Sequence, residues 1–149
     1  MSKINTKVTD SVDFFKGNKP SDLTAKFGSP LYVYSEEILR QRCRDVKNLV
    51  KYPKFSVNYS AKANSNLAFL EIVHEEGLNV DAMSPGEIFV ESKAGFKPEQ
   101  IFYISNNVTA EEMKFAIDHD VLISVDSVSQ LETYGKLNPG GKIAARFNG

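Results

Sequence analysis

The chain has 149 residues, of which 42% are hydrophobic and 25% charged, with a formal net charge of −1. That is enough for one domain with a real core, and it gives no electrostatic reason to expect nucleic acid or an anionic membrane as a partner. The single cysteine, Cys43, excludes an internal disulfide, no apolar run nears the roughly 18 residues of a membrane helix, and Met1–Asp13 lacks a charged-then-apolar leader pattern, so a cytoplasmic protein is expected.

The first third of the chain differs from the rest. Phe27–Pro30 (FGSP) reads as a turn and Leu31–Tyr34 (LYVY) as a strand. Ser35 is placed to cap a helix whose apolar positions Leu39, Cys43, Val46 and Val50 follow 3–4 spacing, with Tyr52–Pro53 as its end.

From Phe55 onward, short apolar runs alternate with helix signals. The strands are expected at Phe55–Ala61, Leu78–Ala82, Ile101–Ile104, Val121–Val125 and Lys142–Arg146. Between them, Asn64–Asn66 offers caps, and Ser84/Glu87, Thr109/Glu112 and Ser127/Gln130 have capping-box spacing, with Pro85 at a first helical position. Met113, Ala116 and Ile117 recur at helical spacing, as do Val128, Leu131 and Tyr134; Gly77, Gly95 and Gly135 stand where helices should end. Strand alternating with helix predicts an α/β fold with a parallel sheet and right-handed crossovers. By pattern alone, either a doubly wound open sheet or part of an eight-stranded barrel fits.

Alternation in Phe55–Lys62 puts Phe55, Val57, Tyr59 and Ala61 on one face and Ser56, Asn58, Ser60 and Lys62 on the other. In a barrel the apolar set faces the helices, and Lys62 stands at the C-terminal rim where such enzymes place their chemistry. A lysine there suits a Schiff base with a carbonyl, although a lone lysine ending a strand is more often solvated.

The surrounding motifs weigh against that plainer reading. Tyr59–Asn64 (YSAKAN) resembles the cofactor-lysine motif of fold-type III pyridoxal-phosphate enzymes. Phe27–Ser35 (FGSPLYVYS), Leu78–Glu87 (LNVDAMSPGE), Ser105–Glu112 (SNNVTAEE), Ser124–Leu131 (SVDSVSQL) and Ala145–Asn148 (ARFN) are similar, in order, to segments of the diaminopimelate decarboxylase family. The resemblance covers roughly residues 25 to 149. Ser60, Met83, Pro85 and Asn148–Gly149 depart from the family's usual residues; Lys62, Asp81 and Arg146 are kept.

The resemblance implies the N-terminal portion, about five βα units, of a TIM (β/α)8 barrel of the alanine racemase-like type. Residues 1–34 would pair with a C-terminal β-domain, and 35–149 would be the first part of the barrel. It implies pyridoxal 5'-phosphate as cofactor, held by Lys62 as a Schiff base, with Asp81 beside cofactor and lysine and Arg146 near the phenolic oxygen. The implied reaction is decarboxylation of meso-2,6-diaminopimelate to L-lysine, completed across a homodimer. The family's phosphate loop, its acidic partner for the pyridine nitrogen and its second domain would lie beyond residue 149, so a truncated chain, inactive alone, is expected. The alternatives are a sister decarboxylase acting on ornithine, arginine or carboxynorspermidine, a non-catalytic pyridoxal-phosphate barrel, or an interaction module.

No metal site is expected. His74 has no second histidine at zinc-protease spacing, His119 reads as a helix-end residue, and Cys43 as packing. Asn106 ends the third strand without a derived role.

Overall fold

Each of the four helices of the repeating unit begins on a cap that the sequence supplies, and three of them end on a left-handed residue. This is seen in a computed structural model that describes residues 14–104 and 106–147. The N-terminal stretch 1–13, Ser105 and the Asn148–Gly149 departures lie outside the described residues. The chain divides into two units, 1–39 and 40–149.

In the first unit, α1 (Pro20–Phe27) was not legible as a helix from apolar spacing. Its signals are local: Pro20 at the first helical position, Asp22 in the first turn, Lys26 in the last, and Gly28 at φ +88° beyond it. The expected strand Leu31–Tyr34 does not form among the described residues. A strand is defined by its ladder, and no described segment pairs with this one, so Leu31, Tyr32, Val33 and Tyr34 stay exposed. Ser35 Oγ does accept from Ile38 N–H (3.4 Å), opening α2 (Glu36–Lys47). This helix stops at Lys47, short of the expected Tyr52–Pro53, where the Asn48 side chain donates to the Arg44 carbonyl (2.8 Å).

In the second unit, five parallel strands lie in the order β1 (Asn58–Ser60), β2 (Asn79–Ala82), β3 (Ile101–Ile104), β4 (Leu122–Val125), β5 (Ile143–Ala145). The order never reverses. A doubly wound sheet needs a reversal, so the arrangement is an arc of a barrel. The register is regular: Asn58 pairs with Asn79, Val80 with Ile101, Phe102 with Leu122, and Ile123 with Ile143, so partners lie 20 or 21 residues apart.

One face of the sheet carries Tyr59, Val80, Ala82, Ile101, Tyr103, Ile123 and Val125. It packs under α3 (Leu67–Glu75), α4 (Pro85–Lys93), α5 (Ala110–Asp118) and α6 (Val128–Leu137), which contribute Leu70, Val73, Ile88, Met113, Ala116 and Tyr134 to the core. Tyr59 meets Phe69 of α3 at 5.4 Å between ring centroids. The other face carries Asn58, Ser60, Asn79, Asp81, Phe102, Ile104, Leu122, Ser124 and Ala144.

The caps mostly follow expectation. Asn66 takes the Ala68 N–H, Ser84 that of Glu87, Thr109 that of Glu112 and Ser127 that of Gln130. Only Thr109/Glu112 is reciprocal; Glu87 and Gln130 reach one residue further back, to Met83 N–H (2.7 Å) and Asp126 N–H (2.9 Å). At the helix ends, α3, α4 and α5 all close as Schellman motifs. Leu78, Phe96 and Val121 donate to the carbonyls of Val73, Glu91 and Ala116, and all three side chains are buried. The left-handed position is Gly77, Gly95 and, with φ +57°, Asp120. Gly135, expected at a helix end, sits inside α6.

Candidate functional site

The carboxyl ends of the strands gather the residues singled out in the sequence. Ser60, last in β1, pairs in register with Asp81 in β2. Both therefore stand on the face turned away from the helices. Asp81 is half-buried, and its Oδ1 is fully buried without a hydrogen-bond donor. A carboxylate oxygen removed from water without a donor is costly, and it marks a position where a cationic or N–H group is accommodated well.

Lys62 does not continue β1 as expected. The strand stops at Ser60, and Ala61–Ala63 turn as one 3-10 helix that lies against β2. Ala61 is fully buried and anchors this turn, while Lys62 is exposed. The place of Lys62 thus follows from the turn, and the strand's alternation ends two residues before it. Among the described residues no hydrogen bond or ion pair holds its amine.

Arg146 follows β5 directly. Its N–H donates to the Val125 carbonyl (2.8 Å), extending the β4–β5 ladder by one step. The guanidinium is exposed. An amine, a carboxylate and a guanidinium are thus carried at the C-terminal ends of β1, β2 and β5, the rim where parallel α/β sheets bind ligands. A nucleophilic amine with an acid nearby can capture a carbonyl compound, and a guanidinium can hold an anionic oxygen.

Residues left without a role behave accordingly. His119 caps α5, with Nδ1 2.7 Å from the Phe115 carbonyl, and His74 sets its ring edge-on to Phe96 at 4.9 Å. Burial pushes the Cys43 thiol up, with Glu76 adding to the shift, as befits a packing residue. No metal-binding cluster occurs among the described residues. Asn106 is exposed just beyond β3. A hollow of about 380 Å³ lies at the opposite, amino ends of the later strands, lined by Pro98, Ile117, Asp120, Leu122, Tyr134 and Lys142; it brings none of the rim residues together.

One buried group was missed by the sequence reading. Glu91, on the inner side of α4, is fully buried and neither of its oxygens has a hydrogen-bond partner. Its acid dissociation is pushed up to about 8, by burial first and then by the charges of Glu87 and Asp81. The available signal was its position three residues after Ile88, which places an acid on the core stripe of the helix.

Residues 36–149 match the family model described as the pyridoxal binding domain of pyridoxal-dependent decarboxylases. The diaminopimelate decarboxylase of Methanothermobacter thermautotrophicus is 43% identical over 130 residues, covering 85% of this chain and 30% of the relative. That of Aquifex aeolicus is 34% identical over 140 residues, covering 91% and 33%. The chain therefore spans about a third of the length of the curated relatives it matches. Among solved structures, diaminopimelate decarboxylase from Helicobacter pylori complexed with L-lysine superposes with a TM-score of 0.75 at 28% identity, covering 80% of this chain and 30% of that one. The structure described as diaminopimelate decarboxylase from m. jannaschi gives a TM-score of 0.75 at 31% identity, covering 89% and 33%. With its five-strand arc and the match over residues 36–149, the chain belongs to the pyridoxal-dependent decarboxylases.

Proposed function

We propose that this chain is the lysine-bearing part of a diaminopimelate decarboxylase, in which Lys62 anchors pyridoxal 5'-phosphate and the substrate is meso-2,6-diaminopimelate. The observation that carries the reading is the Lys62 amine, without a hydrogen-bond or ion-pair partner among the described residues, just beyond the strand whose last residue registers with Asp81. The residues fit such a cofactor: a primary amine for its aldehyde, a carboxylate with a buried oxygen lacking a donor, and a guanidinium for an anionic ring oxygen. When bound, pyridoxal phosphate supplies the electron sink that lets an α-carboxylate leave as CO2.

The chain's own residues bind and orient. Lys62 would hold the cofactor through its amine, and that amine, when free, would be a base able to carry a proton. Asp81 holds ammonium groups near Lys62 through its carboxylate. Arg146 steadies negative charge on the ring oxygen. The relatives named above favour diaminopimelate over ornithine or arginine as substrate. A cytoplasmic homodimer completes the reading; no described helix is long and apolar enough to cross a membrane.

The test uses the full-length protein. Pyridoxal phosphate is added, the adduct reduced with borohydride and the modified lysine mapped by mass spectrometry. Label on Lys62, absent in Lys62→Ala, is the expected result; label on another lysine overturns the assignment. A substrate panel then decides the reaction, with CO2 release from diaminopimelate expected to exceed that from ornithine or arginine.

A further inference from the structure

The β2–α4 unit holds three carboxyls, Asp81, Glu87 and Glu91, and among the described residues no basic side chain pairs with any of them. Glu87 is engaged by Met83 N–H at 2.7 Å. Glu91 is enclosed completely, with two oxygens lacking partners, so no open side remains for another segment to supply one. Asp81 lies on the opposite face of β2, so Glu91 and Asp81 act on each other through the strand.

The elements packed on α4 offer no countercharge. On β3 the titratable group is the buried Tyr103 phenol. On α3, His74 lies against Phe96, Glu71 is exposed, and Glu75 pairs with Arg40 (2.7 Å). On α5, Glu111 is exposed, Glu112 closes the Thr109 box, and Lys114 pairs with Asp118 (2.6 Å).

We propose that Glu91 is a positioning residue for the site end of β2: as a neutral carboxyl it lets α4 seat on the strand, and on losing its proton it sets a negative charge across the strand from Asp81. The proton leaves to solvent when α4 opens locally. From about pH 8 upward the ionised form resists reburial, α4 loosens, and the strand end carrying Asp81 loses its fixed seat. Cofactor affinity then falls in the alkaline range.

This rests on the site reading above, and the test separates the two. In full-length protein, the cofactor dissociation constant is measured at pH 7 and pH 9.5 for wild type and Glu91→Gln, which keeps shape and removes the ionisation. Protonation of the cofactor and of its anchoring lysine is common to both. The expected result is a rise in the wild-type constant at least roughly tenfold greater than in Glu91→Gln. Equal ratios overturn the proposal, whatever the borohydride mapping shows. Independently, the 13C resonance of the Glu91 carboxyl should titrate near 8, with faster amide exchange at Val80–Ala82 above that pH. Titration in the ordinary carboxylate range overturns the proposal, and this reading decides the matter if the variant fails to fold. Label away from Lys62 defeats the site assignment alone and leaves the Glu91 titration standing.

Discussion

At the scale of single residues, burial sets how each ionisable group behaves. Glu91 is a carboxyl whose folded-state dissociation lies above its unfolded one, so the folded state holds the proton longer. Stability from this group is full below about pH 4.5, falls as pH rises, and is lost by about pH 8. Glu91→Gln should therefore raise the unfolding free energy at pH 8 to 9, by on the order of a few kcal/mol, and change it little near pH 4, as urea titrations at both pH values would show. Glu76 has the opposite sign. The Arg44 guanidinium, hydrogen-bonded to it, and then Arg40 hold its carboxyl below the usual range. Its tie from α2 to the end of α3 persists above the ordinary carboxylate range and is lost on acidification, so amides at the end of α2 should exchange faster in acid, and Glu76→Gln should remove that acid dependence. Lys62, Asp81 and Arg146 were singled out in sequence because each sits in a short motif. Glu91 was not, because one acid in a helix reads as solvated until its neighbours close over it.

At the scale of elements, the helix ends decide how each strand is entered. Gly95 has φ +102°, and a Cβ there would stand 3.1 Å from the His74 ring. Gly95→Ala should cost more than about 1 kcal/mol, from left-handed strain and crowding together. Gly135 is the reverse case: it lies inside α6 and an added Cβ meets nothing within 4 Å. Gly135→Ala should stabilise by about 0.5–1 kcal/mol, and thermal unfolding of both variants checks the pair of signs. The five strands were readable because alternation and caps agreed, with ends moving by up to three residues. Phe55–Val57 dropped out of β1, although the Val57 carbonyl still accepts from Asn79 N–H (2.9 Å). Leu31–Tyr34 misled for a physical reason: β-propensity describes a surface that suits pairing and cannot supply the partner. For α1 the fault was reliance on apolar periodicity where proline and glycine gave the boundaries.

At the scale of the whole molecule, sequence pattern left open sheet and barrel arc undecided, because both are built from the same strand–helix repeat. Strand order decides between them, and order is a property of how crossovers stack. In the arc, β1 and β5 each show one unpaired edge among the described residues, while β2, β3 and β4 are paired on both sides. Hydrogen exchange of residues 1–149 alone should be slowest at Val80, Tyr103 and Ile123, and the piece should self-associate with concentration in sedimentation experiments. Since each described strand meets its partner after the same 20 or 21 residues, no pairing among the described strands waits for a distant part of the chain. Each closure costs nearly the same small entropy, so a nascent polypeptide leaving the ribosome can add one strand at a time to a growing edge, with β1 laid down before the others.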